Sequence, residues 1–145
     1  MKKIKIVCVG KLSNAFCRDG CAEYLKRLKS SYDITLCEIP EQPTNKKECD
    51  EILKRAGDIF VLMDINGEQP DSPEFADLLK KEHERRDEIV FVIGGAEGVD
   101  ERVRAAAKRR ISFGRVTYTH QLARLLLYEQ LYRTSTIIKG VPYHK

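Results

Sequence analysis

Short apolar runs alternating with helical patterns constrain this chain more than any other feature. The runs are Ile4–Val9 (interrupted by Lys5 and closed by Gly10), Ile34–Ile39, Ile59–Met63 and Ile89–Ile93. Each is too short for a helix and of the right length for a strand. The third and fourth are continuously apolar, which is the signature of strands buried on both faces of a parallel sheet. Asn14 can cap a helix to about Lys29, with Phe16, Leu25 and Leu28 among its apolar positions. Pro40 and Pro43 break the second strand, and Asn45 opens a short charged helix. Asn66-Gly67 marks a turn, and Ser72-Pro73 reads as a cap followed by a first-turn proline. The helix after it ends in the charged run Glu82–Asp87, read as surface. Asp100 caps a basic helix to about Arg110, Ile111–Phe113 is a short fifth strand, and a last helix runs from Thr119 to Ile137. Strands alternating with helices predict an α/β fold: a parallel sheet with helices on both faces, in a single domain over 1–145.

Composition narrows the class. A chain of 145 residues buries roughly 70% of its unfolded surface, enough for a real core. No apolar stretch approaches the roughly 18 residues that span a bilayer, so no membrane association is expected. Ile4–Val9 is too short for a signal peptide. The five cysteines are odd in number and lack framework spacing, which predicts reduced thiols and a cytoplasmic location. Cys17 and Cys21 could share a helix face, but no further ligands complete a zinc site, and no metal is expected. Charge is distributed unevenly. From Arg102 onward there are ten Lys or Arg and one acid, Glu129, leaving −5 for the rest of a chain whose total is +4. A basic block of this kind is an electrostatic footprint for a phosphate backbone, or else a solvated helix face.

In open α/β sheets ligands bind beyond the carboxyl ends of the strands. Three such endings stand out: Met63–Gly67, Gly94–Gly98 and Gly114–His120. The glycines of the second admit either a closely approaching ligand or a simple tight turn. Neither a dinucleotide-binding glycine fingerprint nor a Walker A sequence is present. The last helix carries Leu122, Ala123, Leu125, Leu126, Leu127, Leu131 and Tyr132, so it needs cover on more than one side. The sheet supplies one, and a second copy of the chain is the expected other. Glu129 and Arg133 lie four apart and can pair. Arg124 has no acid four residues away and is the better ligand candidate. His83 is expected to be inert on the surface, while His120 admits a capping or a functional role. Pro142 stiffens the ending Gly140-Val141-Pro142-Tyr143-His144-Lys145.

Thr119-His120-Gln121-Leu122-Ala123-Arg124, Glu129-Gln130-Leu131-Tyr132-Arg133 and Gly140-Val141-Pro142-Tyr143-His144-Lys145 resemble the RlmH family of ribosomal RNA large-subunit methyltransferases, within the SPOUT superfamily. Lys5–Leu12, Leu62-Met63-Asp64 and Val92-Ile93-Gly94-Gly95 match as well, so the resemblance covers essentially the whole chain. It implies a C-terminal trefoil knot, a homodimer with both subunits forming each site, and transfer of a methyl group from S-adenosylmethionine to N3 of a pseudouridine in the assembled ribosome. It places the cofactor against Met63, Gly94 and the run Phe113, Gly114, Arg115, Val116, Thr117 and Tyr118. Three segments depart from the family pattern: Gly114-Arg115-Val116 stands where the family commonly has Ser-Lys-Met, Thr119 where it commonly has proline, and Ala96-Glu97 differs in the glycine loop.

Such a reaction needs alignment of donor and acceptor and removal of the N3 proton. His144, Tyr143 and Arg124 are the catalytic candidates: His144 for the proton, Tyr143 for stacking on the base, Arg124 for charge. Arg133, Lys145 and His120 are the candidate RNA contacts. The alternatives are a SPOUT enzyme acting on transfer RNA and a non-catalytic ribosome-binding assembly factor.

Overall fold

A computed structural model describes residues 1–145. The elements run β1 (Lys2–Val9), α1 (Ala15–Leu28), β2 (Tyr32–Ile39), α2 (Asn45–Ala56), β3 (Val61–Glu68), α3 (Ser72–Arg85), β4 (Glu88–Ile93), α4 (Glu101–Ala106), β5 (Arg109–Ile111) and α5 (His120–Lys139). All five strands join one sheet in the order β2-β1-β4-β3-β5, and every pairing is parallel. The α/β sheet expected from the alternation is present.

Alternate strand residues supply two separate cores. On one face Ile4, Ile6 and Cys8 of β1 and Ile89, Phe91 and Ile93 of β4 pack against α1, α3 and α5. On the other, Val7, Val9, Leu62 and Val92 meet Cys49 and Ile52 of α2 and Val103 of α4. Burial on both faces is why these strands carry apolar residues at nearly every position. Each fully buried Leu, Ile or Val contributes about 1.5–3 kcal/mol. The α1 helix turns Cys17, Cys21 and Leu28 inward, whereas Phe16 is 64% exposed. All five cysteines are free thiols. Burial is the main cause that pushes the Cys8 thiol up to about 12. No helix is long and apolar enough to cross a membrane.

Several boundaries differ from the sequence reading. Asp71, not Ser72, caps α3: its side chain accepts from the Glu74 amide at 2.8 Å, and Glu74 accepts from the Asp71 amide at 2.9 Å. This reciprocal pair puts Ser72 and Pro73 inside the first turn, where the missing proline N–H has no helical partner to lose. Helix α4 stops at Ala106 rather than near Arg110, because Ala107 is extended (φ −64°, ψ 133°). The Lys108 amide then bonds to the Phe60 carbonyl at 3.0 Å, and the fifth strand forms over Arg109–Ile111, two residues earlier than expected. Its register is unusual: Met63 and Glu68 of β3 both pair with Ile111, so residues 64–67 bow out of the sheet.

The end of α3 is not surface. Glu82 and His83 are buried. The His83 ring lies 5.8 Å from that of Tyr32, and its Nε2 donates to the Lys3 carbonyl at 2.9 Å. Glu82 accepts from Arg86 at 2.7 Å and Lys108 at 3.0 Å. Burial opposes its charge, but Lys108 and Arg86 outweigh that and hold its carboxyl below the usual carboxylate value. A run of charges in sequence reads as solvated unless these distant partners are known.

Burial pushes His83 below the ordinary histidine value of 6.5. Its neutral ring therefore stabilises the fold fully above that value, and the contribution is lost as pH falls from there toward the lower folded value. Between roughly pH 7 and pH 5 the melting temperature of the wild type should fall more steeply than that of His83→Gln. Parallel slopes in thermal circular dichroism would rule out His83 as the source.

Candidate functional site: a cavity at the carboxyl ends of three strands

Strands β3, β4 and β5 point the same way, so their carboxyl ends meet at one edge of the sheet. There the bowed segment after Met63, the glycine turn after Ile93 and residues 112–119 enclose a cavity of about 720 Å³. The first turns of α5 contribute His120, Gln121, Ala123 and Leu126 to its wall.

Each wall is held by identifiable bonds. In the glycine turn the Gly98 amide donates to the Gly95 carbonyl at 3.0 Å. Asn45 of α2 donates to the Gly98 carbonyl at 3.1 Å, and the Asp100 amide donates to the Cys49 sulfur at 3.3 Å. A side chain at Gly94 would meet Val99 at 2.9 Å, so packing of the turn itself requires glycine there, apart from any ligand. In the third segment Gly114 has φ 122°, a conformation that favours glycine. Ser112 fastens it, donating to the Gly114 carbonyl and accepting from the Gly114 amide. Thr119, where the family commonly has proline, is the N-cap of α5 and accepts from the Leu122 amide at 3.2 Å. Gln121 accepts from the Ser13 and Asn14 amides at 3.0 and 2.9 Å, joining α5 to the loop after β1.

Of the positions expected at the cofactor, Met63, Gly94, Phe113, Gly114, Val116, Thr117 and Tyr118 line this cavity, and Arg115 does not. His120 lines it as well. Ile93, Ile111, Phe113 and Leu126 make one side apolar, while the turns present backbone groups. Among the lining residues are Asp64, which fell within the Met63–Gly67 ending but was given no role of its own, and Arg104, which was not singled out. Asp64 followed the last apolar residue of a strand, at a ligand-binding edge, and that position was its one available signal. This wall suits a planar, largely apolar ligand with a polar edge.

Arg124 corrects an expectation. With no acid four residues away it reads as free, yet its side chain is 1% exposed. Its guanidinium donates to Glu38 at 2.6 Å and to the Gly10 carbonyl at 2.9 Å. Those partners lie 86 and 114 residues away, beyond the reach of helix spacing. Arg124 does not line the cavity.

The final residues form a second cluster. Gly140 ends α5 in the left-handed conformation, and the Val141 amide bonds back to the Thr136 carbonyl at 2.9 Å. The chain reverses, and Tyr143 lies edge-on to Tyr132 with ring centroids 4.8 Å apart. Its hydroxyl donates to Glu129 at 3.1 Å and lies 3.5 Å from that of Tyr24. Burial, with these bonds to Tyr24 and Glu129, pushes the phenol up. Arg133 pairs with Glu129 at 2.5 Å, as spacing indicated, sits 4.9 Å from the Tyr143 ring centroid and donates to His144 Nδ1 at 3.1 Å. Lys145 is exposed. None of Arg133, Tyr143, His144 and Lys145 lines the cavity of its own chain.

The basic block is dispersed by folding. Arg102, Arg104, Lys108, Arg109, Arg110, Arg124 and Arg133 each face a carboxylate. The charge asymmetry along the sequence is therefore largely a set of ion pairs between its two parts. The last helix also differs from expectation: α1 and α3 both pack against it, so the protomer itself covers more of its apolar surface than the sheet alone would.

A family model described as "Predicted SPOUT methyltransferase" matches residues 1–144. Proteins named "Ribosomal RNA large subunit methyltransferase H" are similar along their whole length. That of Caldicellulosiruptor saccharolyticus is 43% identical over 153 residues, covering 98% of this chain and 99% of the relative. That of Streptococcus equi subsp. zooepidemicus is 40% identical over 158 residues, covering 99% of each. That of Enterococcus faecalis is 41% identical over 163 residues, again covering 99% of each.

The pairing of Arg124 makes a prediction about stability. Arg124→Ala leaves Glu38 and the Gly10 carbonyl without their donor and should cost about 3 kcal/mol, read from the denaturant midpoint. A loss below about 1 kcal/mol would place the pair among ordinary surface contacts.

Proposed function

The chain belongs to the SPOUT methyltransferase family, and on that premise we propose that it transfers a methyl group from S-adenosylmethionine to N3 of a pseudouridine in large-subunit ribosomal RNA. The observation that carries this reading is the cavity, whose lining includes seven of the eight positions expected at the cofactor. The names of the relatives support the ribosomal substrate, and a ribosomal substrate supports a cytoplasmic location.

The residues present fit the cofactor. Ile93, Phe113 and Leu126 offer apolar cover for an adenine, and the turns at Gly94 and Gly114 offer backbone groups to its edge. When bound, S-adenosylmethionine supplies an electrophilic methyl group. The chain has to bind, orient and exclude water.

The family's homodimer and trefoil knot belong to the same reading. Val116 and Tyr118 at the cavity, with Phe16 two residues beyond the cavity-lining Asn14, are large apolar groups left exposed. A second copy is the natural cover for them. In one protomer the Tyr143–Lys145 cluster and the cavity share no residue, so a complete site takes its cavity from one copy and its tail from the other. The Arg133 contact supports a particular role for His144 within the tail. Because His144 Nδ1 accepts from Arg133, a neutral His144 carries its proton on Nε2. His144 in this pose is a donor, suited to hold a base carbonyl or its developing negative charge rather than to remove the N3 proton. The buried pairing of Arg124 with Glu38 and the Gly10 carbonyl supports a structural role for it in place of a catalytic one.

Deletion of Tyr143 to Lys145 should leave calorimetric binding of S-adenosylmethionine intact and lower methyl transfer to ribosomes by about a hundredfold or more. Unchanged transfer would refute the role of the tail. Mass mapping of ribosomal RNA from a strain lacking the protein should show one methyl group missing from a large-subunit pseudouridine. A missing methyl group on transfer RNA instead would move the substrate.

A further inference from the structure

Asp64 differs from the chain's other carboxylates. Its side chain is 7% exposed, it lines the cavity, and its Oδ2 is buried without a hydrogen-bond partner. Oδ1 is satisfied by the Asn66 amide at 3.1 Å. Two guanidiniums flank Oδ2: Arg110 at 3.5 Å and Arg104 at 3.8 Å. Neither makes the bond that a buried charged acceptor requires. The bow in β3 created by the double pairing of Ile111 is what carries this carboxylate out of the sheet and to the cavity.

The charges around Oδ2 select the kind of donor it can take. Glu101 also faces Arg104, at 3.7 Å, but it is 84% exposed and screened by water. Beside the buried Oδ2, two guanidiniums therefore face one carboxylate, and an ammonium group would meet repulsion along with attraction. An anion would meet the carboxylate itself. A neutral hydroxyl supplies the missing hydrogen bond without either conflict, and a carboxylate accepting from sugar hydroxyls is a recurrent device in nucleotide sites. Arg104 is 35% exposed on a flexible stem, so it can yield to a ligand without breaking a hydrogen bond to Oδ2.

We propose that Asp64, the one carboxylate in the lining of the cavity, recognises the ribose hydroxyls of the methyl donor. This rests on the reading that the donor is S-adenosylmethionine.

The test is calorimetry with S-adenosylhomocysteine and its 2′-deoxy and 3′-deoxyribose analogues. The wild type should bind the parent about tenfold or more tightly than at least one analogue, the value of a hydrogen bond to a charged group. Asp64→Asn should bind the parent about tenfold more weakly and no longer distinguish it from that analogue. Equal binding of all three compounds by the wild type overturns the assignment without any variant. So does an Asp64→Asn protein that discriminates as the wild type does. If Asp64→Asn does not fold, Asp64→Glu keeps the charge beside both arginines while displacing the acceptor, and should lose the discrimination likewise; retained discrimination overturns the assignment. A wild type that binds none of the three refutes the methyl-donor reading itself, a different result from binding without discrimination.

Discussion

A guanidinium that is almost wholly out of water organises this molecule. Charge is costly to bury unless it is paired, and Arg124 finds acceptors for its two terminal nitrogens only at the ends of the first two strands, in the Gly10 carbonyl and Glu38, while its Nε has none. Meeting them fixes the last helix against the sheet both along its axis and about it. Gln121, one turn earlier, repeats the constraint through the Ser13 and Asn14 amides. The N-terminal turn of α5 is thereby set against the cavity, and its far end is set where Tyr143 can fold back onto Tyr24 and Glu129.

The two ends of that helix have different chemistry. One end borders a mostly apolar hollow framed by three strand termini and by turns whose backbone is braced from behind, Gly98 by Asn45 and Asp100 by Cys49. The other gathers an arginine, an imidazole, a phenol and a carboxylate in mutual contact. A methyl-transfer enzyme needs both a place to hold the donor and polar groups to hold an acceptor. Within one chain the cavity lining and the tail cluster share no residue, which is the observation behind the proposal of a site shared between two copies.

Much of the fold was legible because its causes are local. The apolar runs at Ile4, Ile89 and Val61 are strands since a doubly covered sheet demands apolar residues at successive positions. The Asp100 cap and the Glu129–Arg133 pair act over one turn of chain and could be read from spacing. The cavity-lining positions Met63, Gly94 and Phe113–Gly114 were indicated by resemblance and by their place at strand ends. His83 and Arg124 were misread for the opposite reason: the Lys3 carbonyl and Glu38 come from strands at least 80 residues away. No periodicity encodes such a neighbour.

The basic block shows the same division. Composition determined that its charges exist, but their carboxylate partners, such as Asp50 for Arg102, Glu82 for Lys108 and Glu68 for Arg109, are brought up by folding. By itself the sequence determined what repeats at short range: strand and helix order, most caps and turns, and which segments must be buried. Only the tertiary structure decided which charges are neutralised, which cavity-lining carboxylate keeps an oxygen without a hydrogen bond, and that the final tail lines no part of that cavity in its own chain. Hydrophobic burial acts on any apolar neighbour and so leaves its mark in a pattern. Hydrogen bonds and ion pairs need a particular partner within about 3–4 Å, and that partner is supplied by the path of the chain in space.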